Sequence, residues 1–252
     1  MNKKILIDTY LDTQNKCITG KFSNLEKGYT SSFNSKDTKL TSINYLPRHN
    51  KTNIQVINDL VLDVTQKVYD GGERNIMVLN LASSYCPGGG VANGAVAQEE
   101  DLFRKTNYFL MLNKKFYPIP KGNVIYTDKV YVIKDNKFND LENPFPVSML
   151  AAAAIKDPEL VNGRYNQPDY NTMKETIENI FKVAYLANKE TLILGALGCG
   201  AYNNPPKIII SIFNEYLKKY NGCFKNIIFA VYSNKYNDNY DLFDKGIIRI
   251  FS

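Results

Sequence analysis

The chain of 252 residues contains no tryptophan, one histidine and four cysteines. Each scarcity closes a route. With His49 alone, a metal site built from several imidazoles is excluded, and a Ser-His-Asp triad would have to run through that one side chain. His49 sits in the polar stretch Pro47-Arg48-His49-Asn50-Lys51, which reads as surface loop. The cysteines at 17, 86, 199 and 223 form no CxxC pair, so neither a zinc ribbon nor a thioredoxin-type redox centre is indicated. Reduced thiols in a cytoplasmic setting are expected. No run of about 20 apolar residues exists to span a bilayer. The opening Lys3-Lys4-Ile5 meets Asp8 and Asp12 instead of the apolar core of an export signal. Without tryptophan, a ring stacked on a ligand must come from the 18 tyrosines or 13 phenylalanines.

Lys and Arg number 31 against 25 Asp and Glu, a formal charge of +6. The basic residues run no longer than pairs such as Lys114-Lys115 and Lys218-Lys219. That reads as a solvated basic surface. It lacks the stripe of a dedicated nucleic-acid binder, and its weak positive field favours anionic ligands.

Hydrophobic patterning alternates strands and helices. Lys3–Asn15 reads as a helix and Ser31–Lys39 as loop. Strand Ile54–Ile57 precedes helix Leu60–Tyr69 and the buried strand Ile76–Leu79. Gln98–Asn113 reads as a helix; Val124–Thr127 and Val130–Ile133 as strands around a turn at Asp128-Lys129; Phe145–Ala151 as another strand. Asp157–Asp169 reads as loop, Tyr170–Asn188 as a strong amphipathic helix, Thr191–Leu194 as a strand and Pro205–Tyr220 as a helix. Phe224–Val231 reads as a strand, with Ile247–Phe251 as a candidate last one. This order predicts a three-layer α/β fold with a mixed or mainly parallel sheet. Ligands in such sheets bind beyond the carboxyl ends of the strands, so chemistry is expected just after Leu79 and Leu194.

Both places carry glycine-rich loops. After the first strand come Asn80-Leu81-Ala82-Ser83, then Cys86-Pro87-Gly88-Gly89-Gly90, seven further residues, and Gln98-Glu99-Glu100 opening a helix. Adjacent glycines are entropically expensive to order, but they let backbone N–H groups approach a ligand with no Cβ between. Glycine turns and first-turn glutamates each occur for structural reasons alone. Their combination after a buried strand is what singles out the segment. The second loop, Gly195-Ala196-Leu197-Gly198-Cys199-Gly200-Ala201-Tyr202-Asn203-Asn204, leads into a helix and reads as an anion cradle. Its Gly-x-x-Gly-x-Gly order, late in the chain and with no acid ending the next strand, does not fit a dinucleotide-binding oxidoreductase; no Gly-Lys-Ser/Thr follows to make a Walker A loop.

The spacing Gly-Gly-Gly, seven residues, Gln-Glu-Glu resembles the signature of the poly(ADP-ribose) glycohydrolases, enzymes of macrodomain fold. Asn80-Leu81-Ala82-Ser83 with Pro87 is similar to their compact bacterial-type branch, and the likeness continues through Asp101-Leu102-Phe103-Arg104-Lys105-Thr106. It runs from about residue 54 to 232. It implies one macrodomain-like catalytic domain over 1–252, a mixed sheet flanked by helices, with residues 1–50 a helical N-terminal extension packed on it. It also implies hydrolysis of the ribose–ribose bond of poly(ADP-ribose) with release of ADP-ribose, without metal or organic cofactor. Glu100 would be the general acid/base, Glu99 would hold a ribose hydroxyl, and Gln98 would support them. Gly88, Gly89 and Gly90 would line the substrate. Gly198, Cys199, Gly200 and Ala201 would hold the diphosphate, and Tyr202 would pack on the ribose near the scissile bond.

Where animal relatives orient that ribose with an asparagine, this chain has Ser83 or Ser84. Cys86 reads as a small filler. Tyr232 either stacks on adenine or caps a core strand. Asp59 either contacts the adenine amino group or begins the helix at Leu60. A neighbouring carboxylate and desolvation raise a glutamate's pKa, whereas a helix N-terminus lowers it. Two other readings stay open: removal of single ADP-ribose groups from protein or nucleic acid, and a non-catalytic ADP-ribose reader. Intact Gln98-Glu99-Glu100 speaks against the reader.

Overall fold

A computed structural model describes residues 2–233 and 237–248. The chain opens with helix α1 (Lys3–Ile18), strand β1 (Thr30–Phe33) and the short helix α2 (Thr38–Thr41). Strand β2 (Asn53–Ile57), helix α3 (Val61–Asp70), strand β3 (Ile76–Leu81) and helix α4 (Gln98–Lys105) follow. Then come the long strands β4 (Val124–Lys134) and β5 (Asp140–Ala152), the small ribbon β6 (Leu160–Val161) and β7 (Arg164–Tyr165), and helix α5 (Gln167–Leu186). Strand β8 (Thr191–Leu194), helix α6 (Pro206–Lys219), strand β9 (Asn226–Ala230) and helix α7 (Asn239–Gly246) complete it.

Seven strands make one mixed sheet in the order β1-β4-β5-β3-β8-β9-β2. β5, β3, β8, β9 and β2 are parallel; β4 is antiparallel to both β1 and β5. The carboxyl ends of five neighbouring strands therefore share one edge, the edge on which α/β ligand crevices form.

Alternation along the strands builds two cores. Met77 and Leu79 of β3 point to the face covered by α5, α6 and α7, where Ile177, Phe181, Phe213 and Phe243 pack. Ile76 and Val78 point to the opposite face, against Val61, Leu62 and Val64 of α3 and Leu102 and Phe103 of α4. This period-two split of a continuous apolar run produces the expected three layers.

Several sequence expectations are corrected. The segment expected as loop over Ser31–Lys39 instead supplies β1, which pairs with β4 from Thr30↔Thr127 to Phe33↔Val124. The helix expected over Gln98–Asn113 stops at Lys105, because Thr106 turns extended (φ −138°, ψ 166°) and bridges to Val132. Asn107 then exchanges bonds with Tyr131: its N–H donates to the Tyr131 carbonyl and its Oδ1 accepts from the Tyr131 N–H. The two strands expected around Asp128-Lys129 are one strand with a bulge, where Lys129 takes φ 48° and the register against β5 shifts. Asp157–Asp169 is not all loop: it holds β6 and β7, and α5 begins at Gln167 behind Asn166, whose side chain accepts from the Asp169 N–H. Helix α7 was not anticipated. Ile247 and Ile248 are not strand, and the rest of the expected Ile247–Phe251 strand lies outside the described residues.

α1 lies against α4 and the turn before it. The buried Arg104 guanidinium donates to the carbonyls of Leu6 and Ala95, and the Thr13 hydroxyl donates to the Arg104 carbonyl. Among the described residues, no helix is long and apolar enough to cross a membrane.

Candidate active site

A cavity of about 490 Å³ opens at the carboxyl edge of the sheet, between the loop after β3 and the loop after β8. Of the residues singled out from the sequence, it brings together Ser83, Gly89, Gly90, Gln98, Glu99, Glu100, Gly198, Gly200, Ala201 and Tyr202.

The first loop is folded around its two glutamates. Glu99 is 3% exposed and fully engaged: Oε2 accepts from the Ser83 N–H (2.7 Å), and Oε1 from the Gly88 N–H (3.1 Å) and Asn80 Nδ2 (3.2 Å). Glu100 is 7% exposed, and its Oε1 accepts from the Gly90 N–H at 2.9 Å. Its other oxygen, Oε2, is buried and has no hydrogen-bond partner. Gln98 clips the helix to the strand: Oε1 accepts from the Leu81 N–H (2.9 Å) and Nε2 donates to the Leu79 carbonyl (2.6 Å). Gly89 has φ +52°, and a Cβ there would come within 2.5 Å of Glu100 Oε1. Glycine is thus required both by backbone conformation and by the approach of the carboxylate.

Burial pushes Glu99 up to about 7, the neighbouring Glu100 adds to it, and the three N–H donors only partly offset it. Among the described residues, no lysine or arginine forms an ion pair with either glutamate. Compensation comes from backbone N–H groups and the Asn80 side-chain amide.

Ser83, not Ser84, faces the cavity. Its hydroxyl accepts from the N–H groups of Tyr85 (3.1 Å) and Cys86 (3.4 Å), keeping its own proton available. The Ser84 carbonyl is turned away to accept from the Ile119 N–H. Cys86 also lines the cavity, its Sγ 3.5 Å from the Gly89 carbonyl. Gly88 stands behind the wall, where a Cβ would strike the Phe103 ring.

The second loop is organised by a residue the sequence reading passed over. Asn204 is buried, and its Nδ2 donates to the carbonyls of Ile155 (2.7 Å), Tyr202 (3.0 Å) and Gly198 (3.1 Å); its Oδ1 accepts from the Tyr165 hydroxyl (2.7 Å). Gly198 at φ +74° leaves no room for a Cβ beside Ala154 and Asn204. Within this frame the N–H groups of Gly198, Gly200, Ala201 and Tyr202 donate to no protein acceptor among the described residues. Unpaired N–H groups facing a cavity suit an anion. Cys199 does not line the cavity: its thiol is turned to the Leu197 carbonyl, and burial pushes its pKa up to about 12.

Two further expectations fall outside the cavity. Tyr232, 56% exposed, follows the carboxyl end of β9. Asp59 accepts from the Leu60 N–H (2.8 Å) and pairs with Lys67 (2.8 Å) at the start of α3. Lys156 and Tyr85 line the cavity without having been singled out, since neither belongs to a glycine or glutamate motif. Among the described residues, no three His, Cys, Asp or Glu side chains gather as a metal site.

Comparison with known proteins places this geometry. The family described as "Microbial-type PARG, catalytic domain" matches residues 11–135, a stretch holding the triple glycine and both glutamates. Over those residues the chain is similar to the microbial-type PARG family. The second loop lies beyond that match, but the fold does not. Poly(ADP-ribose) glycohydrolase from Thermomonospora curvata superposes with a TM-score of 0.84 at 21% identity, over 97% of this chain and 100% of that one. A structure of the same enzyme bound to the inhibitor ADP-HPD gives 0.80 at 21% identity, over 96% and 99%. The Deinococcus radiodurans enzyme in complex with ADP-ribose gives 0.73 at 24% identity, over 86% and 93%. A comparison with curated proteins returns no match.

Proposed function

We propose that this chain hydrolyses the ribose–ribose bond of poly(ADP-ribose), with Glu100 as general acid and base. One observation carries the assignment of roles. Of two adjacent buried carboxylates on the cavity floor, Glu99 has both oxygens occupied, whereas Glu100 keeps Oε2 free. The unpartnered oxygen is held by no protein donor, which supports Glu100 over Glu99 as the acid that exchanges a proton with substrate.

The unpaired N–H groups from Gly198 to Tyr202 are suited to the diphosphate of ADP-ribose, and Tyr202 to its ribose. Protonated Glu100 gives its proton to the bridging oxygen as the anomeric C–O bond breaks and that electron pair leaves with the oxygen. The sugar passes through an oxocarbenium-like state. Water adds to the anomeric carbon and returns a proton to Glu100. The sum is polymer plus water giving ADP-ribose and a polymer one unit shorter. Glu99, locked in place, stands beside the sugar as hydroxyl acceptor and fixed partial charge, with Ser83 as a further donor.

The test is ADP-ribose release from a poly(ADP-ribosyl)ated protein beside a mono-ADP-ribosylated one, using wild type and Glu100→Gln. Polymer loss that requires Glu100 is expected. Release only from the mono-modified protein would transfer the assignment to that linkage. Binding of ADP-ribose with release from neither would make the chain a reader.

A further inference from the structure

Of the large apolar side chains exposed in the described chain, the two most exposed flank the glycine turn in sequence. Val96 is 77% exposed and Tyr85 70%. Tyr85 is a wall of the cavity, and Val96 adjoins the wall residue Ala97. Tyr85 precedes the turn and Val96 follows it.

Tyr85 is also held in place. Its N–H donates to Ser83 Oγ, and the preceding Ser84 carbonyl accepts from Ile119, in the segment that feeds β4. β4 lies on the β5 side of β3, away from β8. Along the carboxyl edge the strand order puts the loop after β3, which carries Tyr85, before the anion-binding loop after β8 and Tyr232 after β9, and the Ser84–Ile119 bond ties the Tyr85 segment toward the β4 side. A unit whose diphosphate lies on the β8 loop extends from the glutamates toward β9. Whatever is joined to its scissile ribose leaves in the opposite direction, past Tyr85.

We propose that Tyr85 is a stacking platform for the adenine of the leaving ADP-ribose unit, and so selects polymer over single ADP-ribose. Every unit of the polymer carries one adenine, and base–aromatic stacking tolerates an exposed, shallow platform. A 70% exposed tyrosine adds nothing to the core, so its ring is available for this contact. The inference rests on the proposed polymer hydrolysis.

The experiment measures binding, not turnover. In the Glu100→Gln background, affinity for a two-unit ADP-ribose oligomer is compared with affinity for ADP-ribose, with Tyr85 intact, as Tyr85→Ala and as Tyr85→Phe. The oligomer is expected to bind about 5- to 100-fold tighter than ADP-ribose when Tyr85 or phenylalanine is present, and equally in Tyr85→Ala. ADP-ribose affinity stays constant throughout, which also reports that the variants are folded. An oligomer preference that survives Tyr85→Ala, or that is absent from the start, overturns the platform, as does an equal loss of both ligands. Failure of the platform is distinct from failure of the hydrolase: wild type that degrades polymer without a Tyr85-dependent preference sinks only the platform. Conversely, a Tyr85-dependent preference in a chain that leaves polymer intact upholds the platform and removes the hydrolysis.

Discussion

Two places in this molecule gather acidic pairs, and they are solved in opposite ways. At the outer end of the β4–β5 hairpin, Asp12 of α1 and Asp140 of β5 close on Lys134 at 2.6 and 2.7 Å, and each lies 2.8 Å from Lys16. Burial acts to raise both acids, but the hydrogen bonds and charges of the two lysines more than cancel it, and both are held below the usual carboxylate range. At the cavity, Glu99 and Glu100 receive only N–H dipoles, and burial wins at Glu99. The first arrangement is neutral and closed; it ties α1 to the sheet. The second leaves an oxygen and a proton equilibrium unspent. A carboxylate paired with lysines is held ionised, which is why an acid proposed as a proton donor is better left without them.

The largest effect expected from breaking this comparison is chemical. Glu100→Gln should lower turnover by about 10²–10⁴ while ADP-ribose still binds and the melting temperature holds; full activity in the variant would falsify the role given to Glu100. The corresponding cut in the structural cluster is Lys134→Met, since Lys134 is only 2% exposed while its partners are 44% and 21% exposed. Leaving two carboxylates with Lys16 alone should cost about 1–3 kcal/mol, discounted for that solvent access, with activity per folded molecule unchanged. Thermal unfolding and rate measured together decide this; equal loss of both would make the cluster part of the site.

The two regions should also part under titration. Glu99 is raised in the folded state from 4.5 to about 7. The folded protein then holds more proton than the unfolded chain between those values, so stability falls as pH rises across them. Asp12 and Asp140 are lowered from 3.8, so their contribution is present above that pH and disappears as pH falls through their folded values. Denaturant midpoints across pH 3–8 should show both limbs, with Glu99→Gln flattening only the upper one. A wild-type upper limb that survives the substitution belongs to another group. Gly200→Val probes the remaining wall. A Cβ at Gly200 meets nothing within 4 Å, so the variant should keep its melting temperature but bind ADP-ribose more weakly. Unchanged affinity would take that N–H group out of the anion site. The smallest effect is none at all: a chelator should leave the rate unaltered.

The contrast also explains what was legible in the residues. The continuous apolar run Ile76–Leu79 and the helical spacing from Met173 to Ala184 encode burial locally, so β3 and α5 could be anticipated. The triple glycine at its fixed distance from Gln98-Glu99-Glu100 encodes the first loop in the same local way. What stayed hidden depends on partners far along the chain. β1 is a strand because β4 offers it an edge; no periodicity marks it. α4 ends at Lys105 because Thr106 and Asn107 are captured by β4, although Phe109, Leu110 and Leu112 prolong an apolar pattern. Which glutamate keeps a free oxygen was not readable either, since it turns on where the Ser83, Gly88 and Gly90 N–H groups point. Asn204 looked like one polar loop residue among several. Only the fold shows three carbonyls and the Tyr165 hydroxyl converging on it.

That convergence bears on how a ligand arrives. A loop cross-braced by one side chain from Ile155 to Gly198 and Tyr202 has already surrendered its conformational freedom during folding. Its N–H groups wait in register, so an incoming diphosphate has little ordering entropy to supply. Association should therefore be a single fast phase, with no slower rearrangement behind it. Asn204→Ala should shift the cost back onto the encounter, making binding more favourable in enthalpy relative to its affinity and slower to complete.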